Sequence, residues 1–296
     1  MIFNRNLHGS EELRQATASF YANADFSKIE SLVEQSQQQL ATLLGEDVVA
    51  SIEQQYLAGD DSPVIRAAQR AVGYMATLRY FRLNDISHET DGRKVKMDAD
   101  NERRPFEWQL ERDDKMHLLE YYNALDQLIS LLRSSDTFQQ SQLYKRIAPL
   151  AIQSAADMEW LTGVEVSPHL FLRVLPFINE AQRYVERRLG YTIDSADDDT
   201  LKNLAQAAVA NRALALFVQK TEMNALPAGA FREAVSAGGH SAQSTTAMLH
   251  DYYQHVLDIA EGYVRDMQCR RDTINDEHAS HLVIPDNNPS NPFFIL

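Results

Sequence analysis

The chain has 296 residues, of which 44% are hydrophobic and 24% charged, so it is long enough for one large domain or for two of about 150 residues. Its formal net charge of −14 argues against general nucleic-acid binding and against binding to an anionic membrane surface, because both require a basic face. The same charge is compatible with a surface along which DNA slides without being held.

The sequence predicts a protein that remains in the cytoplasm. Its first residues, MIFNRNLHGSEELRQ, lack the apolar stretch of a signal peptide. No apolar run approaches the roughly 20 residues of a membrane helix. The single cysteine, Cys269, excludes a disulfide bond within the chain, which fits a reducing compartment.

The first half of the chain is predicted to form helices separated by short breaks. Residues 26–45 carry an amphipathic pattern that ends in Leu-Gly, a typical helix stop with glycine in the left-handed conformation. Pro63 fits the first turn of the next helix, and the small residues of 68–81 should let that helix approach a neighbour closely. Residues 117–132 place apolar side chains every three or four positions, which predicts an amphipathic helix.

Between these helices, residues 86–97 (ISHETDGRKVKM) predict a short β-hairpin. Alternating residues flank Asp91-Gly92, a dipeptide that favours a tight turn. The corresponding stretch of the second half, residues 224–241, has no strand pattern and predicts a loop with about one helical turn. We therefore expect the helices to form a shared scaffold and the two inserts to carry what differs between the halves.

Three helical segments recur later in the chain, in the same order and at offsets of 145, 137 and 131 residues. Gln37 and Gln69, for example, recur as Gln182 and Gln206. This predicts a tandem duplication of one helical unit. The alternative is that two unrelated helical halves share only amphipathic patterning. The paired segments are 26–45 with 171–190, 68–81 with 205–218, and 117–132 with 248–263.

We predict an all-α, mainly helical fold with a first unit at residues 1–140, a second unit at 141–271 and an extended C-terminal arm at 272–296. Three prolines in the last segment prevent a helix from continuing to the end of the chain. The chain ends in four apolar residues that are costly to expose. They could dock on their own domain, dock on a neighbouring subunit or be disordered. These residues form the candidate partner-binding arm: Phe293, Phe294, Ile295 and Leu296.

No sequence pattern predicts a catalytic residue, a metal site or a cofactor. Each candidate cluster lacks the further ligands or partners that such a site requires, and solvated polar side chains account for it. Trp108 and Trp160 are expected in the core or at an interface rather than in a ligand platform. The candidates weighed are His278 with His281, His250 with Asp251, the acidic stretches at 98–104 and 194–200, and Cys269.

The helix AAQRAVGYMATLRYF, the hairpin ISHETDGRKVKM and the helix HLLEYYNALDQLISLL together resemble the head-tail connector (adaptor) proteins of tailed phages and prophages, in a duplicated form. The resemblance implies a non-enzymatic ring that assembles under the portal around the DNA channel. It implies other copies of the chain, portal proteins or tail proteins as partners, and the virion as a second location. It implies no catalytic residue and no cofactor.

Two other functions remain as alternatives at this point. A helical-repeat module that binds another protein would be a monomer or dimer with a groove between its two units. An enzyme would require a concave polar site shared between the units.

Overall fold

Helices make up most of the chain that the computed structural model describes, namely residues 1–18, 25–84, 87–89, 92–94, 106–220 and 246–280. The mainly α-helical fold predicted from the apolar periodicity is therefore confirmed. Buried apolar side chains from both halves of the chain belong to one continuous core. None of the described helices combines the length and the apolar character needed to cross a bilayer.

The first half is organised around one central helix, α4, which packs against the four other helices of this half. A Cβ atom on Gly73 of α4 would lie 2.8 Å from Cγ2 of Thr17, so only glycine permits this close crossing with α1. The close approach predicted from the small residues is confirmed. The helices are α1 (Gly9–Thr17), α2 (Glu30–Leu44), α3 (Glu46–Leu57), α4 (Pro63–Asn84) and α5 (Glu107–Leu132).

Two short helices, α6 (Asp136–Gln140) and α7 (Gln142–Ile147), lead from α5 into the second half. The second half has its own central helix, α10, which packs against the three other helices of this half and buries an alanine-rich side. The two halves meet where α5 packs against α9. The helices of the second half are α8 (Ala155–Thr162), α9 (Pro168–Leu189), α10 (Asp199–Lys220) and α11 (Thr246–Ser280).

The two predicted Leu-Gly helix stops are both present, but their backbones differ. Gly190 ends α9 in the left-handed conformation, with φ of 96° and ψ of −7°, and its N–H donates to the carbonyl of Glu186. Gly45 ends α2 with φ of 104° and ψ of 143°. This extended ψ directs the chain straight into α3, so the prediction of a left-handed glycine is wrong at Gly45.

Short strands lie within the segment between α4 and α5. Strand β1 (Ser87–Glu89) pairs antiparallel with β2 (Gly92–Lys94), and His88 lies opposite Arg93. The remaining residues of the predicted hairpin segment lie outside the described part of the chain, as does the whole predicted insert at 224–241.

The predicted boundary between the second unit and the C-terminal arm, at residue 271, falls inside a helix. Helix α11 continues through residues 272–280, so the assignment of those residues to an extended arm is wrong. No proline lies between the first residue of α11, Thr246, and Pro285, so the i→i−4 hydrogen-bond ladder continues past residue 271. The candidate partner-binding residues Phe293–Leu296 lie outside the described residues.

Two pairs of glutamines hold the start of each half in the same way. The side-chain carbonyl of Gln37 accepts from the N–H of Ile2 at 2.8 Å, and the amide of Gln69 donates to the carbonyl of Ile2 at 2.8 Å. Each pair therefore satisfies both backbone groups of one residue, an arrangement that we call a glutamine clamp. In the second half, Gln182 accepts from the N–H of Ala151 and Gln206 donates to its carbonyl, each at 2.9 Å.

Candidate protein-binding surface

Helix α5 carries apolar side chains on two sides. One side enters the core and includes Tyr122 and Leu128, as the amphipathic pattern predicts. The opposite side exposes Trp108, Met116 and Leu119 to solvent, and Trp108 is 59% exposed. Spacings of eight and three residues place these three side chains along one outer face of the helix.

Further exposed apolar side chains lie at the end of the α4–α5 pair where α5 begins. An ion pair of 2.8 Å between Arg82 and Asp114 holds the end of α4 against the first turns of α5. It thereby places Leu83 at the same end as Phe106. We call the combined surface the α5 patch; its members are Leu83, Phe106, Trp108, Met116 and Leu119.

The composition of the α5 patch is typical of a protein-binding surface. Single exposed apolar residues are common, but several on one face indicate an interaction site. Tryptophan, phenylalanine and methionine are enriched in interfaces, and tryptophan is enriched among the residues that contribute most to binding. The exposure of Trp108 shows that the core alternative predicted for it is wrong.

A second surface feature is a shallow groove between α8 and α10, which encloses about 290 Å³. Trp160 lies beside it and is 86% exposed, so the core alternative is wrong for this tryptophan as well. Its polar lining includes the carboxylate of Asp157 and three amide side chains. We call it the Trp160 groove; its lining comprises Ala151, Gln153, Asp157, Trp160, Leu161, Asn203 and Gln206.

A third feature is a strained turn at residues 4–8, which we call the Leu7 turn. Asn4, Asn6 and Leu7 have φ values of 69°, 58° and 64°, in the left-handed region that residues other than glycine rarely occupy. Leu7 is 88% exposed. Such strain persists only where the surroundings hold the backbone, and it is concentrated at functional sites.

Hydrogen bonds from the core fix the Leu7 turn. The hydroxyl of Tyr56 donates to the carboxylate of Glu12 at 2.7 Å and accepts from the N–H of Arg5 at 2.6 Å. The same carboxylate accepts from the N–H of Asn4 at 2.7 Å. Burial raises the pKa of the Tyr56 hydroxyl above its ordinary value, and the bond to Glu12 raises it further. Tyr56 therefore remains a neutral donor well above neutral pH.

The junction of the two halves contains a buried histidine–carboxylate pair. One oxygen of Asp126 on α5 accepts from both the N–H and Nδ1 of His169 on α9, each at 2.9 Å. The ring of His169 stacks on Tyr122, with 4.4 Å between the ring centroids. Asp126 also lies at the positive N-terminal end of α9, where a carboxylate is stabilised.

The geometry of this pair indicates a joining role. Nδ1 of His169 also lies 3.1 Å from the hydroxyl of Ser167, whereas Nε2 is buried without a partner among the described residues. A histidine that acts as a base must reach its substrate, and this Nε2 does not reach solvent. The pair instead ties the start of α9 to the middle of α5.

Of the clusters weighed in the sequence, the side chains of Asp251, residues 194–200 and Cys269 lie in the described part of the chain, and residues 98–104 lie outside it. Cys269 is exposed on α11, and Asp251 is exposed on the same helix. His281 lies outside the described residues, and the side chains of His250 and His278 are not described. Within the described ranges, no group of three His, Cys, Asp or Glu side chains is arranged to hold a metal ion.

Sequence inspection missed the residues that connect distant elements. Tyr56 and Glu12 are 44 residues apart, and Asp126 and His169 are 43 apart, so no local motif marks either pair. Only the glutamines of the two clamps carried a signal, because their positions recur between the halves. The chain matches no protein-family model, and no curated protein or solved structure is significantly similar to it.

Proposed function

We propose that this chain is a non-enzymatic structural protein that assembles with copies of itself, in the manner of the phage and prophage head-tail connectors that its helices resemble. Its partners would be other copies and the portal or tail proteins above and below a ring. The observation that supports this proposal most strongly is the α5 patch, which exposes five large apolar side chains along the N-terminal half of α5 and at the end of α4.

The distribution of the α5 patch favours an assembly of a particular kind. Met116 and Leu119 align with Ala247 and His250 at the offset of 131 residues, so the second half has no equivalent apolar pair. Among the described residues of the second half, the patch therefore has no counterpart. A surface that is not repeated must contact a different surface on the neighbour, unless it pairs with itself about a two-fold axis. Head-to-tail contacts of the first kind generate rings when the rotation closes.

The net charge of −14 fits the proposed position around a DNA channel. A channel that conducts DNA must not hold it, and carboxylates repel phosphates over about 8 Å at physiological salt. The proposal therefore includes no specific binding of nucleic acid.

We also propose that the two halves arose by tandem duplication of one helical unit. The two glutamine clamps support this proposal, because the aligned glutamines make the same two bonds to the backbone of the residue that lies shortly before α1 in the first half and before α8 in the second. The order of elements supports it too, since a short helix, a long helix, a central alanine-rich helix and a final long helix occur in each half. Amphipathic patterning alone does not require a shared pair of side chain-to-backbone bonds.

The clamps give a prediction for stability. Replacing Gln182 by alanine leaves the N–H of Ala151 without its acceptor, and we expect it to lower the free energy of unfolding by about 1–2 kcal/mol. Gln37→Ala should cost a similar amount, because it removes the same bond at Ile2. Urea unfolding followed by circular dichroism measures both. Gln38, exposed on α2, is the control, and Gln38→Ala should change stability by less than about 0.5 kcal/mol. Equal effects at positions 37, 38 and 182 would contradict the clamp role.

Self-assembly is tested by measuring the mass of the protein against concentration by light scattering. We expect the mass to rise from that of one chain to a fixed multiple. Trp108→Ser should shift this transition to a concentration about tenfold higher or more, because a central tryptophan contributes strongly to an interface. Leu57→Ser is the matched control, since Leu57 is also 59% exposed but lies outside the α5 patch.

A parallel sample that lacks residues 292–296 tests the candidate arm. Weaker assembly without Phe293–Leu296 would support a clasp between subunits. A strict monomer at every concentration in all samples would contradict self-assembly and favour the alternative, a helical module that binds another protein.

A further inference from the structure

The Leu7 turn and the Trp160 groove occupy corresponding places in the two halves. The clamped residue is Ile2 in the first half and Ala151 in the second. Six residues separate Ile2 from the first residue of α1, Gly9, whereas three separate Ala151 from the first residue of α8, Ala155. The longer connection contains the Leu7 turn, and the shorter one contributes Ala151 and Gln153 to the lining of the Trp160 groove.

The Leu7 turn has the properties of a preformed knob. Its tip residue is the most exposed large apolar side chain in the described part of the chain. Its backbone is held by the bonds from Tyr56 and Glu12, so little conformational freedom remains to be lost on binding. The exposed side chain of Leu7 and its left-handed backbone each destabilise the free protein. A partner that covers Leu7 removes the cost of exposing the side chain to water.

The Trp160 groove has the complementary properties. Trp160 and Leu161 in its lining can contact an apolar group. Its volume of about 290 Å³ accommodates a leucine together with part of its turn. The polar groups match as well, because His8 beside Leu7 can donate to Asp157, and the amide of Asn6 can pair with Asn203.

We propose that the Leu7 turn of one copy inserts into the Trp160 groove of another copy. The inference rests on the proposed self-assembly and adds a second contact between copies to that of the α5 patch. The turn lies on the first half and the groove on the second. Each copy can therefore insert its turn into one neighbour and bind the turn of another neighbour in its groove. The contact is therefore head-to-tail, and repeating it builds a ring or a filament.

Cross-linking tests the contact directly. In the full-length chain with Cys269→Ser, we introduce Leu7→Cys, Asn203→Cys or both, and treat each protein with a short bismaleimide. A mixture of the two single variants should yield a dimer that joins position 7 to position 203, identified by mass spectrometry of the linked peptides. The double variant should yield a ladder of dimers, trimers and larger species, since each copy then links to two neighbours.

The matched control introduces the first cysteine at another exposed leucine, Leu57, instead of at Leu7. Leu57→Cys is combined with Asn203→Cys in the same background. The proposed contact is wrong if positions 57 and 203 cross-link to the same extent as positions 7 and 203. It is also wrong if neither pair cross-links above the level of each single variant.

A second variant separates binding from folding. Leu7→Gly relieves the left-handed strain and removes the exposed side chain, so its thermal midpoint should equal or exceed that of the parent protein. Its self-association, measured by light scattering, should nevertheless weaken about tenfold or more. Unchanged association would overturn the proposal. If the protein assembles normally but positions 7 and 203 do not link, only this inference fails; a strict monomer in every sample overturns both it and the proposed function.

Discussion

Replacing Asp126 by alanine is expected to destabilise the protein by about 3 kcal/mol, since two hydrogen bonds to a charged acceptor are lost at a largely buried site. The N–H of His169 would lose its acceptor, and Nδ1 would keep only the hydroxyl of Ser167, at 3.1 Å. His169 is only 2% exposed, so water replaces these bonds poorly. Chemical unfolding at neutral pH measures the change in the free energy of unfolding.

Two controls test whether the loss of stability comes from the Asp126–His169 pair or from removing any negative charge. Glu111→Ala removes an exposed carboxylate from the same helix and should change stability by less than about 0.5 kcal/mol. In a His169→Phe background, Asp126→Ala should cost about half as much, because only the backbone N–H then loses its partner. A loss of stability at Asp126 no larger than at Glu111 would contradict the joining role.

The position of the pair also bears on how the protein unfolds. Asp126 and His169 lie where α5 of the first half contacts α9 of the second, and the core runs continuously across that contact. The halves should therefore unfold together in the parent protein. Weakening the pair should separate the transitions of the two halves before it affects either one alone.

Periodicity predicted the helices because their buried stripes are encoded locally. Leu125, Ile129 and Leu132 are buried on α5, and Val256 and Ala260 are buried on α11, as spacings of three and four residues indicate. The recurring glutamines could be aligned in the sequence, but their bonds could not be predicted. Their acceptors and donors are backbone groups of residues that no side-chain pattern marks.

The sequence left Trp108 and Trp160 as either core or interface residues, because the exposure of a side chain depends on what packs near it. The large apolar side chains of Trp108 and Trp160 would be equally compatible with the core, and only the packing of the helices shows that they are exposed. The left-handed backbone of Leu7 has no sequence signal at all, since leucine does not favour that conformation. The turn is held by Tyr56 and Glu12, which are more than 40 residues apart and accept hydrogen bonds from the backbone of Arg5 and Asn4.

Replacing Tyr56 by phenylalanine is expected to lower the free energy of unfolding by about 2 kcal/mol, because the N–H of Arg5 loses its acceptor and Glu12 loses a donor. Tyr144→Phe is the control, since the Tyr144 ring is partly exposed and should contribute less than about 0.5 kcal/mol through its hydroxyl. An equal effect of both substitutions would contradict the role of Tyr56.

The same variant should change how stability depends on alkaline pH. Burial raises the pKa of Tyr56 in the folded protein above the ordinary value of 10.0 that applies in the unfolded chain. The unfolded chain therefore loses this proton first, so stability is complete below pH 10 and falls as the pH rises towards the folded pKa. Tyr122 adds to this fall, because burial, followed by the neighbouring Tyr121, raises its pKa too. Urea unfolding between pH 8 and pH 11 should show a shallower fall for Tyr56→Phe than for the parent protein.

Tyr56→Phe also tests why the Leu7 turn binds. The variant retains Leu7 and the Trp160 groove but removes two of the hydrogen bonds that hold the turn. If affinity depends on a preformed turn, self-association should weaken at pH 7 although no contact residue has changed. If it depends only on the apolar side chain, association should remain as in the parent protein. Light scattering of the folded variant decides between the two, because Leu7→Gly removes the side chain and Tyr56→Phe removes only its support.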